Sequence, residues 1–179
     1  GDSKIERFEV NENGIIATLD MTSGYKKQLK KAIRGMMTFD NRQRMIVQDE
    51  IEAFEPADVY WFMHSSCEIT VLDDGKTAIL GGNGKDMVAR LTCTDPDAVF
   101  TVMDAKPLET SPANSAQASN SNFKKLTVKL EKAEKETITV EFSFVSYGVD
   151  ETREKRAVTP ISEWKLEEAR PAAPVLSSI

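Results

Sequence analysis

Apolar residues in this chain mostly alternate with polar ones in short runs, the period of a strand. Lys4–Val10 alternates imperfectly through Ile5, Phe8 and Val10. Asn13-Gly14 follows, a pair that tolerates the positive φ of a tight turn, and Gly14–Asp20 continues the pattern. Together they predict an opening hairpin. Tyr25–Phe39 is ambiguous. Tyr25, Leu29, Ala32, Ile33 and Met36 lie at helical spacing, yet Gly35 interrupts them and the flanks read as strands. The expectation is a loop or single turn to about Leu29, then a strand to Phe39.

The stretch Arg42–Ser66 is the apolar centre of the pattern. Arg44–Glu52 predicts a strand with Met45, Val47 and Asp49 on one side and Ile46, Gln48 and Glu50 on the other. Ala53–Asp58 predicts a turn at Pro56, and Val59–His64 a second strand, so the stretch reads as a hairpin. The pleat sends Val59, Trp61 and Met63 one way and Tyr60, Phe62 and His64 the other. Cys67–Leu72, Lys76–Leu80, Asp86–Thr92 and Ala98–Met103 follow as strands. Gly81-Gly82-Asn83-Gly84 lacks the Lys-Ser/Thr of a phosphate loop and reads as a hairpin tip. Phe123–Lys132 and Glu136–Tyr147 alternate most cleanly and predict a last half-buried hairpin, with an edge strand or turn around Trp164 beyond it.

The sum is about ten to twelve short strands with at most one short helix, an all-β fold: a two-sheet antiparallel β-sandwich. It forms a single domain over residues 2–170. Residues 106–122, rich in Ser, Ala, Asn and Pro, read as a mobile loop insertion, residues 171–179 as a tail, and Gly1 as a cloning remnant.

Composition changes this picture little. The 179 residues are 40% hydrophobic and 29% charged, ordinary for a globular domain. A net charge of −6 argues against a dominant nucleic-acid surface, and no apolar run approaches the roughly 18 residues of a membrane span. One local basic cluster exists, Lys26, Lys27, Lys30, Lys31 and Arg34. It reads as a solvated face or as a polyanion site. Cys67 and Cys93 fit no metal-ligand spacing and read as two buried free thiols or a cross-strand disulfide. His64 is the single histidine, so this chain alone supplies no zinc site and no cofactor is expected. Asp49 and Glu50 point to opposite faces; one is expected in an ion pair with Arg34 or Arg44.

Between Ile15 and Cys93 the order of motifs resembles the C-terminal β-sandwich module of the heparinase II/III-like polysaccharide lyases. The motifs are ATLDMTSGY at Ala17–Tyr25, the Arg34 strand, IVQDEI at Ile46–Ile51, WFMH at Trp61–His64, and GKTAIL at Gly75–Leu80. The resemblance implies a periplasmic or secreted fragment of a lyase that performs β-elimination on an acidic, uronic-acid-containing polysaccharide. It implies a partner, an upstream α/α toroid domain of the same parent chain, without which this chain is inactive. It makes His64 the sandwich histidine of the catalytic site, conditional on that domain. Lys27, Lys31 and Arg34 are the candidate substrate-binding residues. The structural metal of some family members needs a second histidine that this chain lacks, so no metal is expected. The alternative is a non-catalytic carbohydrate-binding or structural scaffold module.

Overall fold

The computed structural model describes residues 2–81, 86–111, 120–145 and 156–166. Among them are nine strands: β1 (Lys4–Val10), β2 (Ile15–Asp20), β3 (Leu29–Phe39), β4 (Arg44–Ser65), β5 (Glu68–Val71), β6 (Thr77–Gly81), β7 (Asp86–Cys93), β8 (Phe100–Asp104) and β9 (Lys124–Val145). The fold is all-β, with single 3₁₀ turns at Thr22–Tyr25 and Ile161–Glu163. All nine strands join one antiparallel sheet in the order β1-β2-β3-β4-β9-β7-β6-β5, with β8 on the other part of β9. The hydrogen bonds therefore do not divide the strands into two sheets.

Local chemistry explains the first turns. The Asn11 side chain accepts hydrogen bonds from the N–H groups of Asn13 and Gly14, each at 2.9 Å, which closes the β1–β2 turn. A Cβ at Gly14 would fall 2.0 Å from the Thr38 carbonyl oxygen, so only glycine lets β2 approach β3 here. The β3–β4 turn runs through three successive left-handed residues, Asp40, Asn41 and Arg42. The expected break of Tyr25–Phe39 into a turn and a strand is what forms.

The two expected hairpins do not form. Arg44–Ser65 is one strand of 22 residues, and so is Lys124–Val145. They pair with each other along their whole length, from Arg44 opposite Ser143 to Ser65 opposite Lys124. The physical reason lies in where the breaks fall. Pro56 and its acidic neighbours sit opposite Lys132–Lys135, and pairing is irregular between Glu52 and Val59, where Lys132 turns left-handed. Facing irregularities let both strands bend together, so neither has to turn back on itself.

This bent ribbon builds the core. Trp61, Leu126, Val128 and Leu130 from its second half pack with Leu80, Ala89, Leu91, Val140 and Phe142 from the main sheet in one buried cluster. The opposite face of β2–β4 carries a second cluster, where Ile16, Met37, Phe39 and Ile46 meet Ile161 and Trp164. The segment 156–166 is pinned there. Gln48 Nε2 donates to Thr159 O at 2.9 Å, Ile161 N to Glu50 Oε1 at 2.7 Å, and Arg7 Nη1 to Trp164 O at 2.9 Å. Both faces of β4 are thus covered, as its apolar residues on both sides require. The described part of 156–169 holds a turn and no strand. The glycine-rich tip (82–85), the centre of the expected loop (112–119) and the tail (171–179) lie outside the described residues.

Candidate functional site

His64 is exposed near the end of β4, across from Lys125 on β9. It is the last of an outward row on alternate residues. Tyr60 and Phe62 have ring centroids 5.6 Å apart, and Phe62 meets His64 edge-on at 6.5 Å. Lys125 roofs this row. Its side chain is buried, its Nζ lies 4.3 Å from the Phe62 centroid and it donates to Lys106 O at 2.8 Å. Lys129 stands over Tyr60 in the same way, 5.9 Å from the centroid. The pleat therefore separates Tyr60, Phe62 and His64 from Val59, Trp61 and Met63, which face the core.

A cavity of about 210 Å³ lies at the seam where the second half of β4 folds over β3. Arg34, Asp49, Tyr25 and Tyr60 line it together with the apolar side chains of Leu29 and Trp61. Arg34 holds Asp49 bidentately, Nε to Oδ1 and Nη2 to Oδ2, both at 2.7 Å. That bond raises the Arg34 pKa against the opposing effect of burial. Trp61 Nε1 is a buried donor with no acceptor among the described residues. Leaving it so costs about 1–3 kcal/mol, a debt the packing of its ring outweighs.

The basic cluster meets acids from the neighbouring strand. Lys30 pairs with Glu52 at 3.5 Å, Lys31 with Glu50 at 2.7 Å, and Arg34 with Asp49. Both acids of the Asp49-Glu50 pair are therefore in ion pairs, Asp49 with the expected Arg34. Burial opposes charge on Glu50, yet hydrogen bonds from Lys31 and the Ile161 N–H bring its pKa below the ordinary carboxylate range. Lys27 is exposed in the turn after the first 3₁₀ turn. The structure places Lys27 just before β3, Lys31 near its start and Arg34 at its middle, and His64 near the end of β4; of the four only Arg34 lines the cavity. Sequence reasoning missed the cavity. Its members come from three segments, and only the bend in β4 brings Tyr60 and Trp61 over Arg34.

Cys67 and Cys93 are free, the first exposed and the second half-buried, which corrects the expectation of two buried thiols. Burial raises the Cys93 pKa. Among the described residues no group of three or more His, Cys, Asp or Glu gathers as metal ligands, and no helix is long and apolar enough to cross a membrane.

No protein-family model matches the sequence, and comparison with curated proteins gives no match. Solved structures do match the fold. One is a heparinase III with methylated lysines, at 17% sequence identity and a TM-score of 0.54. The likeness covers 83% of this chain and 22% of that chain, so this chain shares the fold of a limited part of a heparinase III.

Proposed function

We propose that this chain is the β-sandwich module of a polysaccharide lyase-like protein. In that reading it forms one side of a substrate cleft with an α/α toroid domain and is inactive alone. What carries the reading is the fold likeness itself, which takes in most of this chain and only a fifth or so of a heparinase III. The reaction is β-elimination on a uronic-acid-containing polysaccharide: the carboxylate is neutralised, a base removes the C5 proton, and the glycosidic oxygen leaves. His64 contributes from this module. Its exposure near the end of β4 supports the role, since an imidazole open to solvent can reach a substrate proton, whereas the Phe62 ring beside it is already occupied by Lys125. Of the three candidates, Lys27 is exposed and stands outside the ion pairs between β3 and β4. Lys31 and Arg34 would have to exchange Glu50 and Asp49 for a polyanion.

The test is His64→Ala in the longer protein that this reading requires. Turnover, followed by the absorbance of unsaturated product, should fall about 100-fold while the melting temperature is unchanged. Unchanged turnover removes His64 from the mechanism. A second reading, a carbohydrate-binding or scaffold module without catalysis, is favoured by the neutralised basic cluster. It predicts that no lyase activity accompanies the chain in any length of protein.

A further inference from the structure

Cross-strand pairing arranges one face of the main sheet in rows. One row runs Phe8, Ala17, Met36, Val47, Val140, Leu91, and the next Val10, Ile15, Thr38, Met45, Phe142, Ala89. Burial grades along each. Val140 and Leu91 are 0% and 2% exposed, Val47, Met36 and Ala17 are intermediate, and Phe8 is 65% exposed. The second row ends the same way, with Val10 at 53%. The cause is the reach of the bent ribbon. Its core cluster takes in Leu29 and Ala32 at the start of β3 but no residue of β1 or β2. The opposite face of this region is already covered by Ile161 and Trp164.

The outer half of the face is therefore apolar except for Thr38, with Ile5 and Leu19 in the row beyond, which continues to Arg34. Contiguous apolar surface of this kind marks an interaction site, whereas scattered apolar residues do not. We infer that this face of β1, β2 and Met36 is an interdomain docking surface. Its occupant is the apolar side of a companion folded domain in the same polypeptide.

Three observations select that occupant. First, the patch has no net charge to hold a polyanion, because the ion pair at its border, Arg34 with Asp49, is self-neutralising. Second, the edge of β1 discourages strand addition by another chain: Lys4, Glu6 and Glu9 are exposed along it and its pairing slips between Ile5 and Arg7. Third, in the similar heparinase III the matched region is 22% of a longer chain, so a sheet of this kind occurs there beside much further protein. The inference rests on reading this chain as one module of a longer protein. It does not rest on lyase activity.

Carbene footprinting tests it. The 179-residue chain and the longer protein are labelled side by side, with the double variant Phe8→Asp, Val10→Asp in each. In the 179-residue chain, β1 and β2 should label strongly, the chain should sediment as a monomer, and the variant should keep the wild-type melting midpoint. In the longer protein, labelling of Phe8, Val10 and Met36 should fall severalfold. There the variant should restore labelling and lower the midpoint by roughly 3 °C. Equal labelling in the two lengths overturns the inference. So does a concentration-dependent dimer of the 179-residue chain that the variant abolishes, since a second copy is then the occupant. A covered face in a protein without lyase activity supports the docking surface and sinks only the lyase reading. An active lyase with the face equally labelled does the reverse.

Discussion

Gly35 shows how one absent side chain positions a whole segment. A Cβ there would lie 2.7 Å from the Trp164 ring, and Ile161 crowds the same point at 3.0 Å. The backbone of β3 is the floor on which Trp164 rests. Gly35→Ala should therefore cost about 1–3 kcal/mol through overpacking, read in chemical denaturation, and should shift Trp164 fluorescence toward that of an exposed indole. An unperturbed spectrum and midpoint would show that the segment accommodates the methyl group. In the sequence Gly35 is visible only as a flaw in a helical pattern. It argues correctly against the helix, but its partner is more than a hundred residues away and no local signal names it. His64 was legible for the opposite reason, being the single histidine. Its exposure follows from the pleat, which sets His64 with Tyr60 and Phe62 and away from Trp61.

At the scale of the element, alternation identified strands well and connections poorly. Ile46, Gln48 and Glu50 were expected on one face of β4 and Met45, Val47 and Asp49 on the other, and the structure places them so. Pro56, however, was read as a turn, because proline stops a strand far more often than it bends one. What keeps β4 continuous is the matching irregularity at Lys132, a long-range fact. The 156–166 segment depends on Glu50, which accepts from Lys31 and from the Ile161 N–H. Its pKa is lower folded than unfolded, so the stability it contributes is full above the unfolded value of about 4.3 and is lost as pH falls through the folded value. Glu50→Gln should cost about 1–2 kcal/mol at neutral pH and make the acid limb of the stability curve shallower. A variant with the wild-type acid limb would place that titration elsewhere.

For the whole molecule, β4 and β9 belong to both halves of the core, so the halves share their backbone as well as their side chains. Val140→Ala should lower stability by about 2 kcal/mol, with tryptophan fluorescence and far-ultraviolet circular dichroism giving one common midpoint before and after the change. Separate midpoints would show the second half of the ribbon melting by itself. The fold class was legible because the period of two is local. The single sheet was not, because its order depends on which distant strands pair.

The same ribbon constrains how the chain reaches its fold. Ser65 meets Lys124 and Arg44 meets Ser143, so every pair in the ribbon closes a loop containing all of β5 to β8. The entropy of that closure must be met before any long-range contact compensates it. The shortest loop is at the Ser65–Lys124 end, so zippering from there toward Arg44 is the least costly route. Early hairpins such as β1–β2 and β6–β7 can form at once, but they have no common floor until the ribbon closes. Folding is then limited by topology, in the millisecond-to-second range of domains built on distant pairings.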